Sequence, residues 1–527
     1  MRPLAGAYAF DYPSIAAFYA GDPRSPDAWR HAYSQRQQRQ PERAELARRL
    51  GDQQVRRAAP PAARESAARL ADARSAAIVT GQQAGLFGGP LFTLLKAVTA
   101  MQLARRAEAT LEAPVVPVFW VDAEDHDWNE IASCTVLDAE LQPRVITLPS
   151  PTGAGDVPIA SLALDDRIGE HISALEASLA RTDFTDWLIA GLRAAYAPGT
   201  GTADAFARWL EALLGPHGLV VCDSSDPALK PLVTGVFSRE LSSPGQTAAL
   251  ASDAGARLAA SGHEPQVVPQ ADAVAVLHLD GSRRPIRRQG DDLLVGERSC
   301  APQQLAEEAR TDPQRFSPNV LLRPIVQDTL FPTVCYVAGP SELAYFGQLR
   351  PVYEHFDVPM PLVHPRASAT LVDSATLRFL ARYDVALEDL QPQDEAALNR
   401  LLAAQLPPVV DATIREAADA IQQAMARVID IIPTVEPTLA GAARTTLGKV
   451  EHEVRTLQGK VIQAAKKRDE TLRRQFRRAQ AQTFPLGKPQ ERVVSVDFFL
   501  NLYGPALVTR LLDELPIEAG QHWVVSV

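Results

Sequence analysis

Cysteine is scarce: the chain has four in 527 residues, Cys134, Cys222, Cys300 and Cys335, and no two stand at metal-ligand or CxxC spacing. That spacing argues against a zinc site built from thiolates, and it predicts buried free thiols in a reducing compartment. No apolar run reaches the roughly 18 residues of a membrane span, so none is expected. The apolar stretch near the N-terminus is interrupted by Asp11 and Pro13 and does not read as a signal peptide. A cytoplasmic protein is expected. Net positive charge is missing as well, with 53 Lys and Arg against 63 Asp and Glu. That balance argues against nucleic acid as the main partner, because phosphate binding needs a basic footprint. There is no GxSxG elbow to supply a serine nucleophile and no internal repeat.

What is present is an ordinary globular composition, 46% hydrophobic and 22% charged, long enough for several domains. Residues 27–75 are rich in Arg, Gln, Glu and Ala and predict helices packed on one face. The apolar run Ala76–Val79 then meets the turn Gly81-Gln-Gln-Ala-Gly-Leu-Phe-Gly-Gly-Pro90. A helix follows with its apolar face on Leu91, Leu94, Leu95, Val98, Met101 and Leu103, and Val115–Val121 reads as a buried strand. Strand, turn, helix and strand make a βαβ unit with parallel strands, so the fold class is α/β with a Rossmann-like core.

Further strands are expected at Gly218–Asp223, Thr333–Val337 and Leu362–Pro365, with the core resuming from Asn319–Val326. Short alternating runs at Ala273–Leu279, Arg284–Arg288 and Leu293–Val295 predict a small antiparallel insertion. Ile414, Ala418, Ile421, Met425 and Val428, then Leu447, Val450, Val454, Leu457 and Val461, recur at alternating steps of three and four. Two such seams joined through Pro433 and Pro437 predict an antiparallel helical hairpin close to a coiled coil. The tail predicts a helix over Asp497–Leu512 and a strand at Trp523–Val527. The domains are therefore read as core 1–235, insertion 236–316, core 317–385, hairpin 386–483 and a returning segment 484–527.

Three places carry candidate chemistry. Gly81, Gly85, Gly88 and Gly89 let backbone approach a ligand, and the helix behind them offers N–H groups to an anion, with Gln82, Gln83 and Lys96 nearby. The spacing matches neither GxGxxG nor the P-loop. Glu124, Asp125, His126 and Asp127 follow a buried strand, where such a cluster suits acid/base work or an ammonium group; nothing else supports a metal there. The third place joins Arg323, Gln327 and Asp328 to Gly339, Glu342 and Tyr345, with Arg366 beyond the last core strand. Arg323 and Asp328 are a candidate ion pair, and Ser341 and Glu342 are candidate helix caps. Residues 444–478 hold eleven Lys and Arg against four Asp and Glu, including Lys466-Lys-Arg468, and read as a solvated helical face.

The motifs Thr80–Lys96, Pro117–Trp128, Leu322–Pro332, Tyr336–Tyr345 and Gln490-Glu-Arg492, in this order, resemble the bacillithiol biosynthesis cysteine-adding enzyme (BshC) family. The likeness covers nearly the whole chain. It implies a Rossmann-like core, a connecting insertion and a coiled coil that makes a homodimer. The implied reaction joins L-cysteine to the amine of glucosaminyl-malate, with ATP or another nucleotide activating the carboxyl group. On that footing Glu124, Asp125, His126 or Asp127 would bind or deprotonate the amine, and Lys96, Arg323 and Arg366 would meet anionic groups. Related class I enzymes carry a histidine pair at the first strand–helix turn, whereas this chain has Gly81-Gln-Gln and no histidine there. The competing reading is a nucleotide-binding or regulatory dimer without turnover.

Overall fold

The computed structural model describes residues 4–38, 42–404, 408–468 and 470–527. They form two compact units, one of Met1–Thr370 with Glu491–Val525, the other centred on Leu371–Gln490.

The first unit is built on five parallel strands: β1 (Ala76–Gln82), β2 (Val115–Val121), β3 (Val220–Asp223), β4 (Thr333–Ala338) and β5 (Leu362–Pro365). β2 is buried along its whole length and β1 along all but Gln82. That is why both read as continuous apolar runs and not as alternating ones. The order across the sheet is β5-β4-β1-β2-β3. The chain runs outward from β1 through β2 to β3, then returns to the other side of β1. β1 and β4 are thus neighbours whose connections leave in opposite directions, the place where open α/β sheets form a ligand crevice.

Helix α1 (Leu91–Leu111) follows β1 and is buried on nearly every side as far as Ala104, including Lys96. Its expected apolar face is therefore only part of what it covers. The core resumes in Asn319–Val326 as a turn leading into helix α2 (Arg323–Leu330), which Pro324 opens in the first helical turn. Helix α3 (Pro340–Phe346) follows β4. The insertion is an antiparallel sheet in which Ala273–Leu279 pairs with Arg283–Gln289, which pairs in turn with Asp292–Val295. Phe316–Pro318 closes the other edge of Ala273–Leu279. The single helix expected over Asp497–Leu512 is two, Val496–Tyr503 and Ala506–Glu514. They part at Gly504, whose φ of +66° ends the first, and at Pro505, which cannot continue it. All four cysteines are buried and free.

The second unit contains α4 (Pro408–Ile431) and α5 (Leu439–Arg468), which pack along each other, and then α6 (Glu470–Thr483). Their seam departs from the expected one. Val428 and Leu457 are 41% and 56% exposed, and Ile429 and Gln458 are half-buried in their place. A step of four replaces a step of three because a straight helix drifts away from a strict seven-residue repeat. At the base of the unit, Phe379, Leu398, Leu402, Leu472 and Phe476 share a small core. Arg478 pairs with Asp373 at 2.5 Å and Arg473 with Glu395 at 3.7 Å, which ties part of the basic run to acids of the same unit. The side chains of Lys466-Lys-Arg468 lie outside the described residues. No described helix is long and apolar enough to cross a membrane.

Candidate active site

A cavity of about 310 Å³ opens where the carboxyl ends of β1 and β4 separate. Gly81, Gln82 and Gln83 line one side, Gly339 to Glu342 the other, and Phe92 and Lys96 of α1 reach it from behind. β1 and β2 are in register, Gly81 beside Trp120, so Trp120 and Asp122 enter the same space. A β-carbon on Gly81 would lie 2.8 Å from the Trp120 carbonyl oxygen, so only glycine allows this approach.

Three ion pairs hold the walls. Lys96 Nζ lies 2.5 Å from Glu342 and donates to the Gly81 carbonyl at 2.7 Å and to Gln82 Oε1 at 3.0 Å. Glu342 accepts from the Gly339 N–H at 2.6 Å, the helix cap expected of it, and from the Tyr336 hydroxyl at 2.7 Å. Burial pulls the Lys96 ammonium below the ordinary lysine range, against the attraction of Glu342. Burial alone would raise the Glu342 carboxyl, but Lys96, Gly339 and Tyr336 outweigh it and hold the group ionised.

Arg323 pairs with Asp122 and donates to the Tyr345 hydroxyl at 3.2 Å. It does not pair with Asp328, which takes hydrogen bonds from Tyr353 at 2.5 Å and Gln327 at 3.0 Å inside the core. Gln327 and Asp328 therefore brace α2 and do not line the cavity. Arg366 makes a two-pronged pair with Glu491, at 2.9 and 2.6 Å, and its guanidinium lies 5.5 Å from the centre of the Phe92 ring.

The four ionisable residues after β2 separate. Glu124 is buried in an ion pair with Lys230, whose Nζ also donates to the Phe316 carbonyl, and it does not line the cavity. Asp127 caps the short helix Trp128–Ile131 by accepting from the Glu130 N–H at 3.3 Å. His126 is half exposed and lies 3.2 Å from Arg283 Nη1, outside the cavity. Asp125 alone of the four lines it, holding the Gln83 amide and the His126 N–H. The reason is geometric: consecutive residues of a tight turn point in different directions, so a run of four charges cannot share one site. Glu130, which the sequence did not single out, lines the cavity beside Asp125.

The glycine turn also divides. Gly88 has φ of +87°, and its N–H donates to the Tyr196 hydroxyl at 3.1 Å. The first N–H of α1, that of Leu91, donates to the Val494 carbonyl at 2.8 Å. Gly85, Gly88 and Gly89 thus shape a packed strand–helix connection, and the first N–H of the helix expected to meet an anion is engaged by protein. Arg492 belongs to the Gln490-Glu-Arg492 motif. It comes from the far end of the chain to line the cavity with no ion-pair partner among the described residues.

Comparison with known proteins agrees with the fold of both units. The family model "Bacillithiol biosynthesis BshC, N-terminal Rossmann-like domain" matches residues 1–367, and "Bacillithiol biosynthesis BshC, C-terminal coiled-coil domain" matches residues 369–527. A protein of Salinibacter ruber named "Putative cysteine ligase BshC" is 35% identical over 99% of this chain and 95% of its own length. Proteins with the same name from Symbiobacterium thermophilum and Koribacter versatilis are 32% and 33% identical. They cover 98% and 86% of this chain, and 95% and 84% of their own lengths.

Proposed function

The chain belongs to the BshC family of bacillithiol biosynthesis, and from that premise we propose that it is a cysteine ligase. It joins the carboxyl group of L-cysteine to the amine of glucosaminyl-malate, forming an amide bond and bacillithiol. One observation carries the reading beyond family membership: the cavity at the β1–β4 separation presents charged groups of both signs, as substrates bearing ammonium and carboxylate groups require.

A free carboxylate does not acylate an amine without activation, so a nucleotide remains part of this proposal on chemical grounds. The cavity walls are a poor cradle for a triphosphate. Lys96, Arg323 and Arg366 are each matched by a carboxylate, and the Leu91 N–H is occupied. Mass spectrometry of the protein incubated with L-cysteine, glucosaminyl-malate and ATP tests the reading, with AMP and ADP followed in parallel. Bacillithiol is the expected product; binding of all substrates by folded protein without product would favour the regulatory alternative.

The reading includes a homodimer through the helical hairpin. Ile431, Val435 and Leu439, around the turn between α4 and α5, are 65%, 85% and 48% exposed, an apolar group suited to burial against a second copy. Sedimentation equilibrium of wild type against a triple Ser variant of these residues tests it: the wild type is expected to be a dimer and the variant a weaker one.

A further inference from the structure

Taken pair by pair, the charges of the cavity nearly cancel. Lys96 is matched by Glu342, Arg323 by Asp122 and Arg366 by Glu491, while Asp125 is tied to Gln83, the His126 N–H and Arg283. Two lining residues remain without an ion-pair partner among the described residues: Arg492 and Glu130. Both residues are exposed at the opening, although the Glu130 carboxyl itself is half-buried beside Gln83. An incoming anion gains most from a cation that no carboxylate already satisfies, and an incoming cation gains most from an unmatched carboxylate.

Two further polar groups belong to residues of the cavity wall. The indole N–H of Trp120, a residue only 3% exposed, has no hydrogen-bond partner among the described residues, and neither has Gln83 Oε1. Both residues line the cavity. Buried polar atoms are rarely left unpaired unless something else satisfies them.

We infer that Arg492 and Glu130 divide the recognition of the amino-sugar substrate, Arg492 anchoring its malate carboxylates and Glu130 receiving its ammonium and taking the proton that frees the amine. This inference rests on the ligase reading above and names the residues that act within it. In the transfer, the N–H bond of the ammonium breaks, its electron pair stays on nitrogen, and the proton passes to the Glu130 carboxylate. The neutral amine then has the lone pair that attack on an acyl carbon needs. The environments of the two neighbouring carboxyls suit this division. Burial and the charges of Asp127 and Asp125 raise Glu130, whereas the His126 N–H, Gln83 and Arg283 outweigh burial and keep Asp125 low. Neighbouring acids pushed apart in this way take different roles.

The test is calorimetric binding and steady-state kinetics on the full-length wild type, Arg492→Gln, Arg492→Lys and Glu130→Gln. The probes are glucosaminyl-malate, its N-acetyl form, a malate-free glucosamine glycoside and ATP. Arg492→Gln is expected to weaken glucosaminyl-malate about 10- to 100-fold, the range of a lost charge-assisted hydrogen bond, and to leave the malate-free glycoside unchanged. Arg492→Lys should recover part of the loss. Glu130→Gln is expected to erase the preference for the free amine over the N-acetyl form and to lower kcat more than it raises KM.

A wild type that makes bacillithiol while both Gln variants match it would overturn the inference and leave the ligase reading standing. So would an Arg492→Gln defect confined to the KM for ATP. A folded wild type that neither binds glucosaminyl-malate nor forms product would overturn both.

Discussion

Lys96 and Glu342 form a buried ion pair at 2.5 Å across the gap where β1 and β4 begin to separate. Lys96 comes from the helix after β1 and Glu342 from the helix after β4, so the pair joins the two halves of the sheet. Removing either partner leaves the other charge buried and alone. Lys96→Met is expected to cost about 3–5 kcal/mol of stability. The double variant Lys96→Met, Glu342→Leu should cost less than the sum of the singles, as read by guanidinium unfolding.

Gly81→Ala adds a β-carbon 2.8 Å from the Trp120 carbonyl, in backbone that cannot move without displacing β2. A loss of about 1–3 kcal/mol is expected from the overpacking. Ligase turnover should fall further than stability does, because the displaced strand ends carry Gln82, Gln83 and Asp122. Crystallography of the variant would show β1 and β2 spread at this point.

His364, at the end of β5, is buried, and burial lowers its pKa to about 4 from an ordinary value of 6.5. The folded state therefore keeps the ring neutral where the unfolded state protonates it. The stability this gives is complete above pH 6.5 and drains away as pH falls toward 4, by about 1.4 kcal/mol per pH unit at most. His364→Gln should lack this slope. Unfolding curves at pH 7, 6 and 5 compared between the two proteins measure it.

Glu491 accepts from Arg366, Ser368 and the Ala369 N–H. Burial would raise its carboxyl, but these donors and His522 hold it below the usual 4.5. The carboxylate's contribution is thus present above pH 4.5 and is lost as pH falls through the lower folded value. Glu491→Gln should flatten that acid limb of the stability curve. It should also leave Arg366 buried without a counter-charge, at a cost of about 3–5 kcal/mol at pH 7.

The βαβ unit and its crevice were legible because parallel strands buried on both faces leave long apolar runs, and glycine marks the close approach at Gly81. The helical seams were legible from their spacing, though not to the residue: Val428 and Leu457 fell one position from the buried face. The chemistry was less legible. Glu124 to Asp127 drew attention as a block, yet a turn sends each side chain a different way, and only Asp125 reaches the cavity. Glu130 stands in the first turn of a short helix and belongs to no motif that spacing would pick out. Asp122 shows its role only through Arg323, and nothing local in Gln490-Glu-Arg492 says that it packs beside residue 366. Such pairings arise from the return of the chain to the sheet, which no local spacing records.

That return has a temporal side. Val494 covers the first N–H of α1, Glu491 neutralises Arg366, and Arg492 completes the cavity, all after the hairpin has been made. A chain still emerging from the ribosome can assemble its five strands early, but it has no finished site until residues 491–494 are free to pack. Prematurely ended products should accordingly be silent as catalysts however well their sheet has folded.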